Sequence, residues 1–325
     1  MKNTLILLLA CLVMVILSVI SFSVGAVSIP LSDIGSGLFY QDSSSYFIVH
    51  ELRLPRVLVA ILAGFGLAVA GGILQSLVRN PLASPDVIGI TKGAGFMAAA
   101  VIFLFPQSPV YVLPLAAFAG AVAAFLILLA LSRKLTLTPA SLALVGVAIG
   151  AVFQAGIQYL IVTNPTNVNM ALLWMSGSLW GRGWSQVQYL LPAMIVLLAF
   201  AYGSFRKLNV FQLGDEISVS LGLPVVRERF WLFLLAVALS GISVSAIGAI
   251  GFIGLLAPHM ARSLVGSLNQ RLLPLAAVLG ADLMLLGDCL GRIIIIPREV
   301  PVGIMTAVIG APYFIYLLRR ERLRR

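Results

Sequence analysis

Long apolar stretches separated by short polar connections run through almost the whole chain and restrict what it can fold into. They predict helices near residues 5–27, 57–78, 94–105, 111–131, 141–162, 187–205, 230–250, 252–266, 273–295 and 302–318. A helix that crosses a bilayer needs about 20 mostly apolar residues. The alternating pattern of a transmembrane barrel is absent, so helices are the expected spanning elements. The sequence therefore predicts an all-α, polytopic membrane protein of about ten transmembrane helices.

The composition excludes a water-soluble enzyme. Of the 325 residues, 61% are hydrophobic and 10% are charged, whereas soluble domains have about 45–50% apolar and about 25% charged residues. The chain shows no soluble segment, low-complexity tract or internal repeat. We therefore expect residues 1–325 to form a single transmembrane domain.

The distribution of positive charge predicts the topology. The formal net charge of +10 is compatible with an acidic partner such as nucleic acid, but in a membrane protein it is more simply a topology signal. With ten spans and the N-terminus inside, 16 of the 21 Lys and Arg residues fall in cytoplasmic segments. Both termini are then cytoplasmic. The first apolar run could also be read as a cleaved signal peptide, but its length favours a retained first helix.

Catalytic and metal-binding patterns are missing from the sequence. Cys11 and Cys289 lie inside apolar runs, and the histidines are His50 and His259, which is too few for a metal cluster. There is no GxxxxGK[ST] motif for nucleotide phosphates. We expect no catalytic residues, no cofactor and no protein-built metal site.

Small residues spaced four apart mark two helix faces. The row in the second predicted helix comprises Ala60, Gly64, Ala68, Gly72 and Ser76. Residues four apart share a helix face, and small side chains allow close helix packing. In the fifth predicted helix Gly146 and Gly150 are followed on the same face by Gln154 and Gln158. The two glutamines either form interhelical hydrogen bonds or line a substrate path.

Charged residues occur inside or beside two of the apolar runs. Asp288 and Arg292 are four apart, so they can pair on one helix face, whereas Asp282 lies about 240° around the helix from Asp288. Arg53 and Arg56 precede the second predicted helix. Their positive charge opposes the helix dipole, so they either anchor to lipid phosphate or attract carboxylates.

The connection from Phe205 to Arg229 is the largest predicted cytoplasmic segment. Asp215 and Glu216 suit a helix start, and Gly222 with a following proline suits its end. A short helix here could dock a soluble partner or could be an ordinary interfacial loop.

Several motifs, taken in order, resemble the permeases of iron–siderophore, haem and cobalamin ABC importers of the FecCD type. They are Arg53-Leu-Pro-Arg56, Gly71-Gly72-Ile-Leu-Gln75, Arg79-Asn-Pro-Leu-Ala83, Pro85-Asp-Val-Ile-Gly89, Gly251-Phe-Ile-Gly254, Pro258-His259-Met-Ala-Arg262, Pro301-Val-Gly303 and Gly310-Ala-Pro312. The resemblance covers nearly the whole chain. It is specific for the family and weak for the cargo, with an iron–siderophore chelate as first expectation and haem or cobalamin as alternatives.

The resemblance implies a type II ABC importer permease fold in the cytoplasmic membrane. It also implies a second permease, identical or paralogous, two cytoplasmic ATPases that hydrolyse ATP, and an extracytoplasmic binding protein. Arg53, Arg56 and Arg292 resemble the arginines that receive the binding protein.

The resemblance also implies an ATPase-coupling segment and a translocation path. The coupling segment would include Gly214, Asp215, Glu216, Ser218, Leu221 and Gly222. The path would be lined by Gly146, Gly150, Gln154 and Gln158. The alternative class, an ion-coupled secondary transporter, would need an intramembrane carboxylate, for which Asp282 is the candidate.

Overall fold

The computed structural model describes residues 2–135 and 139–322, and these residues form a bundle of fourteen α-helices without β-strands. The helices are α1 (Lys2–Ser23), α2 (Leu31–Phe39), α3 (Leu54–Val78), α4 (Ile90–Leu104), α5 (Val112–Leu135), α6 (Pro139–Thr163), α7 (Val168–Met175), α8 (Trp184–Gly203), α9 (Phe205–Phe211), α10 (Asp215–Ser220), α11 (Val225–Ile247), α12 (Ile253–Val265), α13 (Asn269–Ile293) and α14 (Val302–Arg322). A π-helical turn, Phe47–Arg53, leads directly into α3.

The predicted all-α fold is confirmed, and each of the ten predicted helices is present. They correspond to α1, α3, α4, α5, α6, α8, α11, α12, α13 and α14. The seventh predicted helix, α11, begins at Val225, five residues earlier than predicted, because Pro224 is its N-cap and the charged first turn is helical. The short helices α2, α7 and α9 were not predicted. The predicted short helix after Asp215 is α10. Arg324 and Arg325, which enter the charge count, lie outside the described residues.

Seven segments of the described chain are long and apolar enough to cross a membrane. They are Lys2–Ser23, Phe47–Val78, Val112–Leu131, Leu144–Thr163, Trp184–Gly203, Val225–Ile247 and Asn269–Ile293. Two further apolar helices, Ile90–Leu104 and Val302–Tyr316, are shorter. Helix α12 has 13 residues and contains Pro258 and Arg262, so burial against other helices, not its length, accounts for its position in the bundle.

Helix α3 is the centre of the bundle and packs against α8, α11, α12 and α13. Its small residues allow these close crossings. A Cβ atom added to Gly64 would lie 2.7 Å from the Cα of Ala281 in α13, and one added to Gly71 would overlap the Gly254 carbonyl oxygen in α12. Gly71 lies outside the predicted row from Ala60 to Ser76. Within the row, Ala68 also packs closely on α13, since a Cβ atom added to Gly280 would lie 2.6 Å from the Cβ of Ala68, and the predicted packing role of the row is therefore confirmed. Van der Waals contact between backbones takes the place of interdigitated side chains at these crossings.

Candidate functional site

A cavity of about 710 Å³ opens on one side of the bundle, beside α14. Four segments form its wall: the connection before α4 with the first turn of α4, the end of α7, the link between α11 and α12, and one face of α14. The lining residues are Asp86, Lys92, Met175, Ser176, Ala249, Gly251, Phe252, Gly303, Ile304, Ala307, Val308, Ala311 and Pro312. The volume lies within the range of about 300–1,000 Å³ that is usual for small-molecule sites.

Glycines bring three of these segments into direct backbone contact. The N–H of Gly303 donates to the carbonyl oxygen of Gly177 at 3.1 Å. A Cβ atom on Gly248 would overlap the carbonyl oxygen of Trp174. Gly177 and Gly248 also have positive φ angles of 67° and 84°, which glycine adopts at little cost. The ends of α7 and α11 and the start of α14 thus meet backbone to backbone at Gly177, Gly248 and Gly303, where there is no room for side chains. We call this contact the glycine seam.

The cavity contains two charged groups that the sequence analysis did not select. Asp86 precedes α4 and its Oδ1 accepts a hydrogen bond from the Thr91 hydroxyl at 2.7 Å. Lys92 lies in the first turn of α4. Both line the cavity and both are only partly buried. The available signal was two charged residues bordering a short apolar helix: Asp86 lies within the Pro85–Gly89 motif, which was used only for the family resemblance, and Lys92 lies three residues beyond it.

The predicted path residues on α6 lie beside this cavity. A Cβ atom on Gly146 would lie 2.7 Å from the Cα of Ile88, and one on Gly150 would lie 3.6 Å from the Cγ of Lys92. The two glycines therefore pack against the start of α4. Gln154 is partly buried and Gln158 is exposed, and both continue the same face away from the contact. None of the four lines the cavity itself.

A network of charges occupies the end of the bundle where α3 begins. Arg56 donates to Asp288 at 2.7 Å and to Glu299 at 2.8 Å. Asp288 also pairs with Arg292 at 2.9 Å, which confirms the pairing predicted from their spacing. Asp288 is buried, whereas the side chain of Glu299 is 25% exposed. The network ties α13 and the α13–α14 connection to α3.

Arg53 and Arg292 hold the C-terminal end of α1. Arg53 donates to the carbonyl oxygens of Phe22 and Val27, and Arg292 donates to that of Val24 at 2.7 Å. Carbonyl groups at a helix end lack partners within the helix, so the guanidiniums satisfy them. Both arginines are buried. Their guanidiniums are taken up by these internal contacts and are not available to another protein. Of the three predicted docking residues, Arg56 is the most accessible.

The opposite end of the bundle carries α10 on a charged support. Asp215 at its start pairs with Arg229 of α11 at 2.7 Å and with Arg79, the residue after α3, at 3.5 Å. Gly214 has a φ of 108°, which turns the chain between α9 and α10. The buried hydroxyl of Ser218 donates to the Gly214 carbonyl oxygen at 2.6 Å. These contacts fix α10 to the ends of α3 and α11.

The outward side of α10 is apolar. Ile217 is 48%, Val219 62% and Leu221 62% exposed. Glu216 beside them is also exposed. An apolar patch on the connection between two membrane helices is typical of a protein contact.

One buried carboxylate is left without a partner among the described residues. Asp282 of α13 is buried, and its Oδ1 has no hydrogen bond to any described residue. Within residues 2–135 and 139–322, no three His, Cys, Asp or Glu side chains are grouped as metal ligands are. Asp282 is thus an isolated group within the membrane-spanning part.

The comparisons with known proteins identify the family. A model of the FecCD transport family matches residues 12–320. The chain belongs to this family. It is 52% identical over 314 residues to the Fe(3+)-citrate import system permease protein YfmE of Bacillus subtilis, covering 97% of this chain and 94% of that protein. It is 47% identical over 277 residues to the Fe(3+) dicitrate transport system permease protein FecD of Escherichia coli, covering 85% and 86%.

A solved structure of a metal-chelate type ABC transporter in an inward-facing conformation has the same fold. Its TM-score is 0.85 at 29% sequence identity, and the match covers 98% of this chain and 99% of that chain. The resemblance to FecCD-type permeases inferred from the sequence motifs is therefore confirmed.

Proposed function

We propose that the chain is a permease subunit of an ABC importer in the cytoplasmic membrane and that its cargo is a ferric chelate of the citrate or siderophore class. The observation that carries the proposal is the cavity beside α14, whose lining is mostly small or apolar and holds two charged side chains, Asp86 and Lys92. Such a wall suits a bulky, already chelated metal, since no protein ligand has to displace the chelator. The cargo class is supported by the relatives, which are permeases of iron-citrate and iron-hydroxamate importers.

A second permease, identical or paralogous, would complete the path. The cavity is open at the face of α14, where Ile304 is 46% and Val308 60% exposed. Helix α6 beside it exposes Val152 and Tyr159. A facing permease would cover these apolar side chains and supply the missing wall. Gln154 and Gln158 would then lie next to the path, as the family resemblance implies.

Two cytoplasmic ATPases would act on α10. In this proposal ATP binding shifts α10, and Asp215 transmits the shift to α3 and α11 through Arg79 and Arg229. The cavity then opens in turn to each side of the membrane. Such alternating access requires that the ATPases bind the two conformations with different affinity. The orientation that follows has both termini in the cytoplasm.

The coupling role is tested with two carboxylates, one that links α10 to its neighbours and one that does not. Asp215→Ala removes the link from α10 to α3 and α11, and we expect the transport-stimulated ATPase rate to fall at least about tenfold, which corresponds to about 1.4 kcal/mol of lost coupling. Glu228→Ala is the matched control, because this carboxylate in the first turn of α11 pairs with Lys207 and not with α10. The measurement is ATP hydrolysis by the reconstituted complex with and without loaded binding protein. Equal stimulation in both variants would contradict the role of Asp215.

The docking role is tested at Arg56. Arg56→Gln should weaken the binding protein at least about tenfold, as expected for loss of one partner of a charge pair across an interface. Glu299→Gln is the control, because it removes a carboxylate from Arg56 and leaves the guanidinium charged. Affinity is measured on the complex in nanodiscs. Unchanged affinity for Arg56→Gln would remove Arg56 from the docking surface.

The unpartnered carboxylate of Asp282 favours the second candidate, an ion-coupled secondary transporter. Proteoliposomes containing the chain with its partner subunits are supplied with radioactive ferric citrate, and uptake is compared with ATP alone and with a proton gradient alone. The ABC importer predicts uptake with ATP that survives Asp282→Asn. Uptake driven by the gradient and lost in Asp282→Asn would overturn it. Ferric hydroxamate, haem and cobalamin in the same assay distinguish the cargoes.

A further inference from the structure

A groove of about 540 Å³ runs along the outer surface of the bundle between α8 and α11. Each helix contributes one stripe of side chains. The stripes include Leu197, Phe200 and Ser204 from α8 and Arg227, Trp231 and Leu235 from α11. The spacing of three and four residues places each set on one helix face, so the two stripes form a continuous channel parallel to the helices.

One end of the groove is positively charged. Lys207 and Arg227 line it, and both are exposed. Glu228 pairs with Lys207 at 2.6 Å, which leaves the charge of Arg227 uncompensated among the groove residues. Arg206, also exposed, adds a further cation next to this end and stacks over the Phe205 ring at 5.7 Å.

The rest of the groove is apolar, and its aromatic side chains are exposed. Phe200 is 65% and Trp231 54% exposed. Trp231 lies one turn from Arg227, so the indole separates the charged end from the apolar part. Tryptophan is enriched at the membrane interfaces, where headgroups meet acyl chains, and Trp231 next to Arg227 fits that position.

We propose that this groove binds an anionic phospholipid of the leaflet next to α9 and α10, with its phosphate at Arg227 and Lys207 and an acyl chain along Phe200 and Trp231. A soluble anion would leave the apolar channel uncovered, and a zwitterionic lipid would leave the excess positive charge uncompensated. Basic pockets between transmembrane helices on the cytoplasmic side are suited to anionic headgroups. The assignment to the cytoplasmic leaflet rests on the orientation given under the proposed function.

The test uses Trp231 as its own reporter. The complete complex is reconstituted in phosphatidylcholine vesicles containing increasing fractions of brominated phosphatidylglycerol or of brominated phosphatidylcholine, whose bromines quench nearby tryptophans. The chain has four tryptophans, so the difference between wild type and Trp231→Phe isolates the signal of Trp231. Arg227→Gln removes the headgroup contact, and Arg271→Gln removes an exposed cation at the start of α13 that does not line the groove.

We expect half-maximal quenching of Trp231 at an about fivefold lower fraction of brominated phosphatidylglycerol than of brominated phosphatidylcholine. The reason is that one cation near the membrane surface raises the affinity for an anionic lipid about fivefold. Arg227→Gln should bring the two lipids to within about twofold, and Arg271→Gln should keep the preference. Equal quenching by both lipids in the wild type, or an undiminished preference in Arg227→Gln, would overturn the proposal.

The same experiment separates a lipid from a protein occupant. Quenching of Trp231 in the chain alone but not in the complete complex would show that a partner subunit covers the groove, and it would also overturn the proposal. Uptake of ferric chelate is measured on the same vesicles. Chelate uptake without preferential quenching of Trp231 by phosphatidylglycerol would refute the lipid site and leave the proposed function standing. Preferential quenching without chelate uptake would refute the proposed function and leave the lipid site standing.

Discussion

The crossing of α3 and α13 at Gly64 determines how closely the two central helices approach each other. In Gly64→Ala the new Cβ atom would lie 2.7 Å from the Cα and N of Ala281 and from the carbonyl oxygen of Gly280. All three are backbone atoms, so no side chain can rotate away. Ordinary contact begins at 3.4 Å, and the helices must therefore separate by about 0.7 Å.

The cost of this separation follows from the short range of dispersion. A gap of about 0.5–1 Å forfeits a quarter to a half of the attraction between atom pairs that gain about 0.1–0.2 kcal/mol each. For a crossing with about 40–60 such pairs, as many as one buried leucine makes, the loss is about 2–3 kcal/mol. The better helix propensity of alanine offsets at most about 1 kcal/mol. We expect Gly64→Ala to lower the free energy of unfolding by about 2 kcal/mol.

Two other glycines provide matched controls for the same change. A Cβ atom on Gly72 would lie 3.1 Å from a methyl group of Leu273, which can rotate, and one on Gly95 would lie 3.7 Å from Ile157. Unfolding in sodium dodecyl sulfate, followed by tryptophan fluorescence, should show these variants within about 1 kcal/mol of wild type. A Gly64→Ala protein as stable as the two controls would refute the argument from backbone contact.

Two further predictions concern the charged network and the glycine seam. Asp288→Asn should lower the free energy of unfolding by about 3–5 kcal/mol, because it leaves the buried guanidinium of Arg292 without its carboxylate. Glu299→Gln at the rim should cost about 1 kcal/mol or less, and equal losses in the same unfolding assay would contradict the difference in burial. Gly248→Ala should cost about 1–3 kcal/mol and abolish chelate uptake, because its Cβ atom would overlap the Trp174 carbonyl oxygen at a positive φ. Gly183→Ala, with open space around the added atom, is its control, and normal uptake by both variants would argue against the seam.

The helices were predictable because apolar runs and spacings of four report on a single helix. The same reasoning predicted the pair of Asp288 and Arg292 and the short helix after Gly214. The sequence placed the start of this short helix at Asp215 and its end before Gly222, and α10 runs over Asp215–Ser220 between Gly214 and Gly222.

The cavity and the contacts of Arg53 were not predictable, because they depend on segments far apart in the chain. Gly177, Gly248 and Gly303 come together from three different helix ends, and none has a local pattern that indicates its neighbours. Arg53 was expected at a docking surface, but the carbonyl groups it satisfies belong to Phe22 in α1 and to Val27 just after it, 31 and 26 residues earlier. Sequence spacing identifies the face of a helix on which a residue lies, and only packing identifies what that face contacts.

The capping of α1 has a consequence for biosynthesis. The carbonyl oxygen of Val24 accepts a hydrogen bond from Arg292, which is translated 268 residues later. At usual rates of translation the delay between the two residues is about 15–50 seconds. During that interval α1 is complete, but the carbonyl group that follows its C-terminal end lacks its final hydrogen bond. The contacts of the earliest segment are therefore completed only once α13 has been made, and a nascent chain interrupted before α13 should present an incompletely packed α1 to membrane quality control.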